Sequence, residues 1–131
     1  GMTVYHAQLW VADPLGATPP AQLTHYASVG LVYGPWAGFW APNGATLYGG
    51  IGGEDYARPG RFSAATGRFR AYDGLDDAFA SAISADGSTL LMRTGVIMGR
   101  ERLKLMPANG GALRPYLRDV LEISVTPNWQ P

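Results

Sequence analysis

The chain has 131 residues, ten basic and ten acidic, for a formal net charge of +0; 47% are hydrophobic, 15% are charged, and there are 18 Gly, 10 Pro and no Cys. It is too apolar and aromatic for a disordered segment, and without Cys it holds neither a disulfide scaffold nor a thiolate metal site. Balanced charge gives no bulk electrostatic reason to expect nucleic acid or an anionic membrane, which leaves a soluble globular unit the size of one domain.

Gly1 ahead of Met2 reads as a tag scar, so the natural chain is expected to start at Met2. No basic segment followed by an apolar stretch opens the sequence, and no apolar run approaches the ~20 residues of a membrane span. Lys104 is the only lysine among ten basic residues, an arginine bias typical of GC-rich bacterial genomes. The lack of Cys and of a leader points to the cytoplasm.

The glycine and proline content argues against a helix bundle, because Gly costs about 1 kcal/mol and Pro about 3 kcal/mol in a helix interior. Thr3–Val11 alternates, with Tyr5, Ala7, Leu9 and Val11 on one face and Val4, His6, Gln8 and Trp10 on the other. Pro14, Pro19 and Pro20 make the next stretch a loop. His25–Tyr33 alternates again, with Ala27, Val29, Leu31 and Tyr33 apolar. Asn43-Gly44 is a tight-turn dipeptide, so strands are expected at Trp36–Ala41 and Ala45–Ile51. In a regular strand Trp36 and Trp40 share a face and Phe39 lies opposite. Thr66-Gly67, Asp73-Gly74, Asp86-Gly87 and Asn109-Gly110 are further turn signals. Around them, Arg68–Tyr72, Thr89–Arg93, Gly95–Met106 and Leu121–Val125 read as strands. Two stretches also fit a helical period, Leu75–Ile83 and Leu113–Leu121, the first reading equally well as a strand from Ala78.

An apolar and a polar face on strand after strand predicts an antiparallel sheet folded on its own core. The expected fold is an all-β meander over residues 1–131, closed as a small β-barrel that is calycin-like in shape, with at most one or two short helices. Closure is favoured because it removes unpaired edges; a β-sandwich is the alternative. The stretch Ile83-Ser-Ala-Asp-Gly-Ser-Thr-Leu-Leu91 resembles the inner hairpin of a β-propeller blade. No repeat of 20–50 residues stands out, and 131 residues are too few for a usual propeller at roughly 40 residues per blade.

Chemistry-bearing residues are sparse. The run Gly49–Gly53 is not a dinucleotide loop, since the third glycine of that motif would fall at Asp55, and Glu54 and Asp55 would repel a phosphate. It reads instead as a bulged strand end or a lid. Two histidines without metal spacing give no metal site. His6 would contact a ligand with Gln8 and Trp10 only if their face lined a cavity. Asp73, Asp76 and Asp77 lack the calcium-loop pattern and suit turns or caps. Arg58, Arg61, Arg68 and Arg70 form the strongest charge bias, and Arg68 and Arg70 share a face.

The reading that results is a binder of a small, partly apolar molecule. Tyr33, Trp36 and Trp40 would stack on it, His25 would hydrogen-bond it, and Arg68 and Arg70 would pair with its charge. No cofactor or metal is expected, no residue is assigned a catalytic role, and neither nucleic acid nor membrane is expected as a partner. A homo-oligomer built on the aromatic surface is one alternative. A small-barrel isomerase or cyclase using His25 with a nearby carboxylate is the other.

Overall fold

The computed structural model describes residues 7–26, 32–53 and 55–117. These residues form strands and no helix: β1 (Trp10–Val11), β2 (Ala21–Gln22), β3 (Val32–Trp40), β4 (Thr46–Gly53), β5 (Ala57–Ser63), β6 (Phe69–Ala71), β7 (Ala78–Ile83), β8 (Thr89–Thr94), β9 (Arg102–Pro107) and β10 (Arg114–Leu117). The stretch with two readings, Leu75–Ile83, resolves as strand β7. A ladder with β8 across the Asp86-Gly87 turn satisfies its backbone, whereas an isolated helix of that length would be marginal. No helix among the described residues is long and apolar enough to cross a membrane. The first four residues of Thr3–Val11, His6 among them, the middle of His25–Tyr33, Glu54 and the expected elements beyond Leu117 lie outside the described residues.

All five turn glycines named above have positive φ: Gly44 70°, Gly67 72°, Gly74 74°, Gly87 76° and Gly110 99°. Four of them close hairpins. The fifth, Gly74, lies where the chain changes sheets. The strands pair in sequence order as β3-β4-β5-β6 and as β7-β8-β9-β10, all antiparallel, with β1-β2 forming a two-stranded sheet.

Neither four-stranded sheet closes, so the expected barrel is corrected to two open sheets packed face to face in a sandwich-like arrangement. The cause is local. After β6 the chain turns at Asp73-Gly74 instead of continuing the ladder. Ala57 N then donates to Asp76 O at 2.6 Å, and Ala57 forms an isolated parallel bridge with Asp77. The next strand, β7, is thereby delivered onto the face of the first sheet, where it contacts β3, β4 and β5.

The core between the sheets joins Ala41, Tyr48 and Tyr72 of the first to Ala78, Ile83, Leu90, Met92 and Met106 of the second. The second sheet carries another buried cluster on its reverse face, Ala82, Leu91, Leu103 and Leu105. The first sheet likewise buries Leu47 and Phe62 on its reverse face, where the rings of Phe62 and Phe69 lie 4.8 Å apart. Both sheets therefore bury apolar residues on both sides, unlike the half-solvated strands that the alternation suggests.

A repeat is also present. Trp40-Ala-Pro-Asn-Gly-Ala-Thr-Leu47 and Ile83-Ser-Ala-Asp-Gly-Ser-Thr-Leu90 occupy equivalent hairpins, offset by 43 residues from Gly44 to Gly87. Their backbone hydrogen bonds correspond. Ala41 N donates to Thr46 O (2.8 Å) as Ser84 N does to Thr89 O (2.9 Å), and Gly44 N donates to Ala41 O (2.9 Å) as Gly87 N does to Ser84 O (2.8 Å). Asn43 Oδ1 accepts from Ala45 N at 2.9 Å, and Asp86 Oδ1 accepts from Ser88 N at 3.0 Å.

The two turns differ in titration. The Ser84 hydroxyl, then the Ser88 amide and hydroxyl, donate to Asp86 and hold its carboxyl down at about 2. A depressed carboxyl stabilises the fold above its unfolded pKa near 4, and that contribution disappears as the pH falls toward 2. Asp86→Asn is expected to flatten the loss of stability between pH 4 and pH 2, read as the urea midpoint at each pH. An unchanged pH profile would show that the turn does not contribute to acid unfolding.

Candidate functional site

The arginines of β5 and β6 are brought together by register. Tyr48 pairs with Arg61, and Arg61 pairs directly with Arg70. One step along, Thr46 pairs with Ser63, whose amide donates to Arg68 O at 3.0 Å. Cross-strand partners share a face, so Thr46, Ser63, Arg61, Arg68 and Arg70 all project to the same side of the first sheet. They line an open cleft of about 810 Å³, together with Ala45, Thr66 and parts of Phe62 and Phe69. A second cleft of about 600 Å³ adjoins it, sharing Arg61 and Arg70 and bounded by Tyr72, Asp73 and Asn109.

The two facing arginines are held differently. The Arg61 guanidinium carbon lies 5.3 Å from the centre of the Tyr72 ring, and Nη1 donates to Ala108 O at 3.4 Å. The Tyr72 hydroxyl donates to the same carbonyl at 2.6 Å. Burial, with Tyr48 adding to it, pushes the Tyr72 phenol well above its ordinary value, against a smaller opposing effect from Arg61. Burial also raises the Tyr48 phenol. Both phenols therefore stay neutral around Arg61 and offer it no counter-charge. Arg68 and Arg70 are exposed. Among the described residues the ion pairs are Arg58–Asp76 at 2.8 Å and Arg93–Glu101, neither of which includes a cleft arginine. Like charges directly opposite one another destabilise a sheet. The Arg61–Arg70 pair is thus a local cost that an anion between the guanidinium groups would offset.

The aromatic residues lie elsewhere. The register of β3 against β4 shifts between Ala37 and Phe39, so that Trp36 pairs with Gly50, Phe39 with Tyr48 and Trp40 with Leu47. The bulge falls at Gly38 and reverses the parity expected of a regular strand. Trp36 and Phe39 share the face toward the second sheet, while Trp40 lies on the reverse face with Leu47. The Trp36 ring sits 5.2 Å from that of Phe79 and Phe39 stacks on Tyr48 at 5.6 Å. Trp40 is 43% exposed. Tyr33 belongs to β3, but its side chain lies outside the described ones, and His25 is exposed in the segment after β2. Of the residues expected to bind a ligand, Arg68 and Arg70 come together, while Trp36, Trp40 and His25 line neither arginine cleft.

The run Gly49–Gly53 is the end of strand β4 rather than a lid. A Cβ on Gly50 would stand 2.3 Å from the Trp36 ring, and one on Gly49 would stand 2.1 Å from Trp36 O. The Trp36 ring lies across Gly50 and Gly52, and a Cβ on Gly53 would meet the Tyr56 ring instead. The acidic residues divide into separate roles. Asp76 pairs with Arg58, and the Asp77 carboxylate accepts from Ile97 N at 2.8 Å and Met98 N at 3.1 Å, fixing the β8–β9 connection. No group of three or more His, Cys, Asp or Glu that could hold a metal ion occurs among the described residues.

Arg61, Thr46, Ser63 and Thr66 are polar cleft residues that sequence reading leaves out of the site. The signal for Arg61 was present in the arginine bias, but its position opposite Arg70 depends on the register set by the Thr66-Gly67 turn. In comparisons with known proteins the chain matches no family model, no curated protein and no solved structure.

Proposed function

We propose that this protein binds a small anionic molecule, bearing carboxylate or phosphate groups, in the cleft formed by Arg61, Arg68 and Arg70. The observation that carries the reading is the directly opposed Arg61–Arg70 pair without a carboxylate partner among the described residues. A pair that only costs stability in the empty protein is accounted for by an anion that two guanidinium groups grip together. The hydroxyls of Thr46, Ser63 and Thr66 in the cleft wall supply further donors for oxygen atoms. The aromatic residues take no part in this reading, since the bulge at Gly38 turns Trp36 into the core and Trp40 to the other face.

Thermal melts with citrate and with pyrophosphate, at fixed ionic strength, test it. A ligand with a Kd of about 0.1 mM, supplied at about 10 mM, stabilises the folded state by about 2.7 kcal/mol, which reads as a rise of several degrees in Tm. Arg70→Gln is expected to abolish that rise while leaving the ligand-free Tm equal to or above the wild-type value, because the like-charge opposition is relieved. If neither anion raises the wild-type Tm, or if the variant keeps the rise, the reading is wrong.

A further inference from the structure

We propose that the ligand is a polyhydroxylated anion, a sugar phosphate or a sugar acid, whose charged end sits between Arg61 and Arg70 and whose hydroxylated end occupies the second cleft. The proposal rests on the anion-binding reading of the first cleft and extends it into the adjoining one.

The two clefts share a wall and differ beyond it. Arg61 and Arg70 line both. On the first side the walls come from the first sheet alone, and they add a third guanidinium, Arg68, and the hydroxyls of Thr46, Ser63 and Thr66. That side gathers positive charge and hydrogen-bond donors, which suits the oxygen atoms of an anionic group. The second side is built across both sheets. Tyr72 and Asp73, directly after β6, line it together with Met106 of β9 and Asn109, Gly110 and Gly111 of the β9–β10 connection. It contains no further cation. The polar side chains it adds are the exposed Asp73 carboxylate and Asn109 amide. Its volume of about 600 Å³ lies within the usual range for small-molecule sites.

Charge decides what this second side accepts. An anionic group would be repelled by the Asp73 carboxylate. A hydroxyl donates to a carboxylate, and it both donates to and accepts from a primary amide, so a polyol satisfies Asp73 and Asn109 together. Both side chains are available. Neither makes a hydrogen bond or ion pair among the described residues, whereas Asp76, Asp77 and Asp86 are each engaged. A flat apolar ligand finds no surface here. Tyr72 supplies the one ring lining this cleft and is 5% exposed, with the Arg61 guanidinium carbon 5.3 Å from its centre; Met106 is 1% exposed. A nucleobase would have no ring face to stack on. A polycarboxylate can fill the first cleft but gains nothing from the second. Cations on one side and a free carboxylate on the other thus give the ligand a polarity, with its charge at the arginines and its hydroxyls at Asp73 and Asn109.

Isothermal titration calorimetry of the full chain at fixed ionic strength tests this. Glucose 6-phosphate and ribose 5-phosphate are compared with inorganic phosphate, and glucuronate with acetate. At least one sugar anion is expected to bind about tenfold tighter than its parent anion, the gain expected from a hydrogen bond to a charged acceptor. The comparison that shows the gain identifies the anionic group. Asp73→Ala is expected to remove that advantage while leaving the affinity for the parent anion equal or higher, because a nearby negative charge is gone. The Tm of the ligand-free variant should not change, since the Asp73 side chain has no partner in the fold. Sugar anions that bind no tighter than their parents overturn the proposal and leave the anion-binding reading standing. So does an advantage that survives Asp73→Ala. If none of the five compounds binds, the anion-binding reading fails and this proposal fails with it.

Discussion

Gly50→Ala is expected to destabilise the protein by about 2–3 kcal/mol, the upper part of the range for overpacking a closed site. The added Cβ would stand 2.3 Å from a Trp36 ring carbon and 2.4 Å from Arg58 O. The ring can leave only by giving up its place against Phe79, and the carbonyl can move only by parting β4 from β5. Gly44→Ala is the useful comparison. Its φ is +70° but nothing lies within 4 Å of the new Cβ, so it carries backbone strain without collision and should cost about 1 kcal/mol. Urea unfolding of both variants gives the difference. In the background of Trp36→Ala, Gly50→Ala should cost less than it does alone, because one of the two collisions has been removed. Equal costs for Gly44→Ala and Gly50→Ala would mean that Trp36 is not packed across β4.

The second large effect concerns Leu90 and Leu91, adjacent in β8 and pointing to opposite faces of the second sheet. Leu90 belongs to the cluster shared with the first sheet, and Leu91 to the cluster on the reverse face; both are 0% exposed. Leu90→Ala and Leu91→Ala are each expected to cost about 2–5 kcal/mol, the range for truncating a fully buried leucine. A plain two-layer sandwich predicts otherwise. One of any two adjacent residues there faces solvent, where substitution changes stability by roughly 0.5 kcal/mol or less. Chemical denaturation of the two variants separates these cases. A Leu91→Ala cost within that smaller range would show the reverse face of the second sheet to be open to water.

Much of the strand pattern could be read in advance, because its signals are local. Each Asn-Gly, Asp-Gly or Thr-Gly pair stands at a turn, since the positive φ there is set by the glycine itself. The arginine face was legible for the same reason, as Arg68 and Arg70 are two residues apart in one strand. What escaped depends on relations between strands. Gly38 carries no mark in the sequence distinguishing a bulge from an ordinary strand glycine, yet it sends Trp36 and Trp40 to opposite faces and dissolves the expected aromatic platform. The barrel was inferred from alternation and the cost of open edges, but the ladder breaks at Asp73–Asp77, where a turn and one parallel bridge redirect the chain. The repeat was hidden because only the turn and the start of the next strand are kept, with Asn43 and Asp86, Gly44 and Gly87, Thr46 and Thr89, and Leu47 and Leu90 in step.

The sequential order of strands within each layer has a kinetic side. Every ladder in a layer joins neighbours along the chain, so each pairing closes a short loop and incurs little closure entropy. Contacts distant in sequence form only when one layer docks on the next, through groups such as Leu23 on Gly67 and Tyr72 on Ala108. The free energy of the molecule then divides into terms internal to each layer and terms between adjacent layers, as in a linear array of coupled units. In such an array an end unit has one coupling and an interior unit has two. Between the two four-stranded sheets that coupling runs through β7, which contacts β3, β4 and β5, so the face of the first sheet under β7 is where their cooperativity is concentrated.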